Sequence, residues 1–175
     1  SGPDAHVHGF PAGLAHPWGG LDHLLAMLAI GMFAARLGGH ARWLVPACFV
    51  TTMALAAVAG MSGFVVMLPV EQFIAASVLV LGLVVAVAFQ PALPVALAIA
   101  AVTAAFHGYA HGIELPAGAG AATYVAGFAC GTALLHVVGF ALGTWIGRAR
   151  AVSGRWAAQR AGGAIAAAGV ALLLT

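Results

Sequence analysis

Two short stretches of this 175-residue chain combine histidine with carboxylate at spacings that suit a metal ion. The first runs His16-Pro-Trp-Gly-Gly-Leu-Asp22-His23, the second His107-Gly-Tyr-Ala-His111-Gly-Ile-Glu114. Imidazole and carboxylate together are a ligand set for divalent first-row transition metals. On an α-helix, positions i, i+4 and i+7 share a face, so His107, His111 and Glu114 can converge on one point. Asp22 and His23 are adjacent and point about 100° apart on a helix. One could ligate while the other orients it, or both could flank a wide site. His16 precedes Pro17 and the Gly19-Gly20 pair, so its backbone is expected to leave the helix and fold back toward the site. Met27 lies one turn beyond His23 on the same face and reads first as a core thioether. His136 reads equally as a second stop on an inward path or as a polar packing contact. His40, beside Arg36 and Arg42, reads as a solvated side chain.

The elements carrying these residues are almost pure hydrocarbon. Of the residues, 63% are hydrophobic and 6% charged, with a mean hydropathy of +1.09. A soluble domain carries about 25% charged residues, so the chain is expected to sit in a bilayer. An ionisable side chain inside a membrane span is costly and marks function by default. The net charge of +2 implies no nucleic-acid partner. All six basic residues are arginine. Without lysine there is no Walker A phosphate site and no Schiff-base chemistry, and no ATPase subunit is evident. Cys48 and Cys130 fall in apolar runs without a C-x-x-C pattern, and read as small buried hydrophobes.

A span needs about 20 mainly apolar residues, and six such segments are predicted. They run from about Pro17 to Leu37, Arg42 to Met61, Val70 to Phe89, Leu93 to Ile113, Ala121 to Gly147 and Trp156 to Leu174. Pro17 is placed at a first helical turn, and Gln90-Pro-Ala-Leu-Pro94 makes a reversal. The expected architecture is all-α: a polytopic six-helix transmembrane domain over residues 16–175, preceded by an N-terminal arm over 1–15. Arg36 and Arg42 flank the loop after the first span, and Arg148, Arg150, Arg155 and Arg160 flank the loop after the fifth. The other connections hold Asp4, Glu71 and Glu114 instead. The positive-inside rule makes the arginine side cytoplasmic and both termini outward. Both histidine clusters then lie at the outer end, as one shared site requires. An outward N-terminus calls for a cleaved signal peptide, which makes the arm periplasmic in a bacterial inner membrane. In that arm His6 and His8 are accessory metal-ligand candidates. Gly108 and Gly112 invite a close neighbouring backbone. Gly127, Gly131, Gly139, Gly143 and Gly147 form a stripe for another helix or a second subunit, which leaves room for a homo-oligomer.

The stretch His16-Pro-x-x-Gly-x-Asp22-His23-x-x-x-Met27, with Phe106-His107-Gly-x-Ala-His111-Gly, closely resembles the HupE/UreJ family of nickel and cobalt permeases. The resemblance implies secondary uptake of Ni²⁺ or Co²⁺ as transported substrate, with no permanent cofactor. It carries over His16, Asp22, His23, His107 and His111 as functional, while Glu114 falls slightly past the family motif. It does not decide between nickel and cobalt. The expected function is therefore an inner-membrane permease that captures the ion at an outward-facing His/Asp site between the first and fourth spans. The alternative is an intramembrane zinc-dependent hydrolase with Glu114 or Asp22 as general base, although no H-E-x-x-H motif is present. A haem protein is disfavoured because His107 and His111 share one helix face.

Overall fold

A computed structural model describes residues 9–63, 69–114, 120–148 and 151–175, with side chains assigned from residue 154 in the last segment. Every element among the described residues is helical. α1 spans Phe10–Ala15 and runs into a 3-10 turn at His16–Trp18. α2 (Leu21–Leu37), α3 (Ala41–Met61), α4 (Val70–Ala86), α5 (Leu93–Glu114), α6 (Ala121–Arg148) and α7 (Ala151–Leu173) follow. Gly38 and Gly39, at φ 65° and 48°, turn the chain between α2 and α3 in a conformation that costs glycine little. Pro94 falls in the first turn of α5, where its missing N–H is no loss.

The first span is not the continuous helix expected from Pro17 to Leu37. The segment Phe10–Trp18 meets α2 at an angle of 83°. The break falls later than His16, which keeps helical dihedrals of φ −56° and ψ −46°. Gly20 is extended, at φ −110° and ψ 129°, and α2 starts afresh after it. α1 itself packs on α6, where Gly13 touches the backbone of Tyr124 and Gly127 that of Phe10.

By length and composition α3, α5 and α6 can each cross a membrane, and the bent α1–α2 pair makes a fourth candidate. α4 stops at Ala86, short of the expected Phe89, because Ala88 turns to φ 56°. Its 17 residues rise about 26 Å, against the roughly 30 Å of a hydrocarbon core. α7 begins earlier than expected, at Ala151, and carries Arg155, Gln159 and Arg160 in its first half.

The helices associate in three close pairs through glycine. Gly108 and Gly112 of α5 lie against the carbonyls of Met53 and Ala57 of α3, so these two helices run parallel. Leu28 and Met32 of α2 lie against Gly139 and Gly143 of α6, again parallel. Leu79 and Ala86 of α4 meet Gly169 and Gly162 of α7, which is antiparallel. The expected glycine stripe of α6 thus packs on α1 and α2 within the chain, and Gly147 meets nothing within 4 Å among the described residues. Between the pairs lies an apolar core that includes Met27, Ile30, Phe33, Phe49, Met53, Leu81 and Leu135. Cys48 is half-buried with its Sγ 3.7 Å from the Leu97 carbonyl. Cys130 is exposed on the outside of the bundle rather than buried, because α6 turns that face away from its partners.

Candidate metal centre

The two sequence clusters meet at one end of the bundle. α2 enters there with His23 near its first turn, and α5 ends there with His107 and His111 on its inner face. Close approach of α5 to α3 at Gly108 and Gly112 fixes the rotation of α5, and so the direction of the two imidazoles. His23 Nδ1 stands between them, 3.1 Å from His107 Nδ1 and 2.9 Å from His111 Nε2. Two ligand atoms about 2.1 Å from one ion and at right angles are about 3.0 Å apart, so these spacings are of coordination size. His23 and His107 are fully buried.

On its other side, His111 Nδ1 lies 2.8 Å from His16 Nε2 and 3.5 Å from Glu114 Oε2. One ligand atom each from His16, His111 and Glu114 all fall within 4.8 Å of one another. A neutral imidazole has one lone pair, so His111 can serve the outer group through Nδ1 or the inner group through Nε2, but not both at once. An open cavity of about 450 Å³ reaches both groups, lined by His16, Gly19, Gly20, His23, His111 and Glu114 among others. Phe128 closes the wall, its ring centroid 5.2 Å from those of His23 and His111 and 5.7 Å from that of His16.

Three of the remaining candidates are placed differently. Asp22 makes a local contact instead: its Oδ1 accepts from the His23 backbone N–H at 2.7 Å, and its side chain lines a separate cavity with Glu71, Gln72 and Thr175. Met27 is wholly buried in the apolar core, as a core thioether would be. His136 is buried deeper in the bundle, edge-on to Phe49 at 5.2 Å and 88°, with no hydrogen-bond partner at either ring nitrogen among the described residues. His40 is exposed. His6 and His8 lie outside the described residues.

Sequence reasoning missed Ser77. This buried α4 hydroxyl lies 2.8 Å from His107 Nε2. The only clue available from sequence was a lone polar residue inside an apolar run.

The family described as HupE / UreJ protein matches residues 2–172. Protein HupE of Rhizobium leguminosarum bv. viciae is 47% identical over 170 residues, covering 97% of this chain and 86% of that protein. No solved structure matches.

Proposed function

Since the chain belongs to the HupE/UreJ family, we propose that it is an inner-membrane permease for Ni²⁺ or Co²⁺. The family is associated with nickel and cobalt transport, and its members are transporter-type proteins rather than enzymes. That sets aside the zinc hydrolase. The observation carrying the proposal is the approach of His23 Nδ1, from α2, to His107 Nδ1 and His111 Nε2, from α5, beside a cavity open at the same end of the bundle. A cation entering the cavity meets His16, His111 and Glu114 first. It then passes to the inner lone pairs of His111, His23 and His107. His136, deeper in the bundle, is a further stop on the inward path.

In this reading all six expected spans cross the bilayer, with α4 and α7 as the shorter or more polar ones. Arg36, Arg42 and Arg148 stand at the opposite end of the bundle from His16, His23, His107 and His111, and the positive-inside rule assigns that end to the cytoplasm. The site then faces the periplasm. An inside-negative potential of about 100 mV contributes roughly 2.3 kcal/mol per charge, or about 4.6 kcal/mol for a dication. That supports more than a thousandfold accumulation without ATP. The test is uptake of radiolabelled Ni²⁺ and Co²⁺ by proteoliposomes: saturable uptake that His111→Ala removes supports the reading, and unsaturable leakage equal to that of empty liposomes contradicts it.

A further inference from the structure

We propose that Ser77 is a positioning residue that holds His107 in the tautomer able to bind the ion, and this rests on the permease reading above. Ser77 is 5% exposed and His107 fully buried, so neither has water to fall back on. The Ser77 hydroxyl has one proton and two neighbours. Its Oγ lies 2.7 Å from the Ile74 carbonyl, which can only accept, and 2.8 Å from His107 Nε2. With the hydroxyl proton given to Ile74, Oγ keeps its lone pairs for an Nε2–H of His107. An imidazole protonated at Nε2 carries its lone pair at Nδ1, and Nδ1 is the atom aimed at His23. The opposite arrangement, with the hydroxyl donating to Nε2, would put a proton on Nδ1 and leave nothing there for a cation.

His111 meets the same requirement by another route. Its Nδ1 lies 2.8 Å from His16 Nε2 and 3.5 Å from the Glu114 carboxylate, a pure acceptor; with His16 Nε2 accepting as well, the proton sits on Nδ1 and the lone pair on Nε2, the atom aimed at His23. The two imidazoles of α5 therefore turn opposite nitrogens inward, each set by a different partner on its outer side. Partners of this kind orient ligating histidines, and their loss typically weakens metal affinity about 10- to 100-fold.

The test uses the full chain in nanodiscs, with histidine labelled with nitrogen-15 and the His107 signals assigned by comparison with His107→Gln. In the metal-free protein, His107 should show a protonated Nε2 and an unprotonated Nδ1. Ser77→Ala should lose that preference and raise the half-saturation concentration for Ni²⁺ about 10- to 100-fold, with the maximal uptake rate changing much less. Ser77→Thr, which keeps the hydroxyl, should retain the tautomer and affinity within about threefold. If the Ser77→Thr protein does not accumulate, the spectrum and affinity of Ser77→Ala decide alone. An unchanged tautomer in Ser77→Ala, or unchanged affinity while His107→Gln loses binding, overturns the role of Ser77 and leaves the permease reading intact. Unchanged Ni²⁺ affinity in His107→Gln overturns the ion site and this inference together.

Discussion

Replacing Gly108 with alanine tests the contact that aims α5. A Cβ at Gly108 would run into the backbone carbonyl of Met53, which belongs to a neighbouring helix and cannot rotate aside. Alanine gains about 1 kcal/mol over glycine in a helix interior. Overpacking a close interface costs about 1–3 kcal/mol, and rigid backbone puts this site toward the upper end. The net loss is then about 1–2 kcal/mol, a melting shift of a few degrees for a chain of this size. The larger effect falls on function. Relief of the clash moves α5 away from α3 by on the order of 1 Å, and His107, the adjacent residue, moves with it. A displacement of that size in a preorganised site can cost about 100-fold. Gly147→Ala is the control, because nothing among the described residues lies within 4 Å of the added methyl. Thermal unfolding in detergent and initial rates of Ni²⁺ uptake read the two effects. A Gly108→Ala protein that melts with the native chain and transports at its rate would refute the α3–α5 contact and the aiming of the site.

Three further outcomes are expected. In a chain lacking Cys48 and Cys130, a cysteine at Gly19 should react with an impermeant thiol reagent from the periplasmic side and one at Gly39 should not; the reverse pattern would move the site to the cytoplasmic face. Imidazole binds metal only when neutral, so protons compete with the ion and affinity falls as external pH drops. Half-saturation for Ni²⁺ should rise as external pH falls, more steeply than one proton per ion allows, and a dependence no steeper than a single proton per ion would contradict a site built from several histidines. In proteoliposomes, a potassium diffusion potential of about 100 mV, inside negative, should give more than a thousandfold Ni²⁺ accumulation and none at zero potential. Accumulation driven by a pH gradient alone would replace that account with proton coupling.

The site was legible where one helix carries its own spacing. His107, His111 and Glu114 repeat at the period of an α-helix, and the structure sets the two histidines beside His23 with Glu114 at the rim. Choosing between Asp22 and His23 needed more than their adjacency. Both flanks of α2 are apolar, so its pattern does not say which residue faces α5. Ser77 was invisible for a similar reason: its partner lies 30 residues away on another helix. The glycine contacts at Gly108, Gly112 and along α6 were readable because a four-residue repeat of small residues marks a close-packing face. The break before α2 was signalled by Pro17 and Gly19-Gly20. Treating Pro17 as a first-turn proline hid it, since proline serves equally well in the 3-10 turn that it occupies.

The central claim is that α2 and α5 share one ion, and a double-mutant cycle on equilibrium Ni²⁺ binding by the purified protein tests it most directly. His23→Ala and His107→Ala should each remove high-affinity binding, and the double replacement should bind no worse than the weaker single, because both remove the same site. Partial losses that multiply, each single change weakening binding independently of the other, would contradict a shared site.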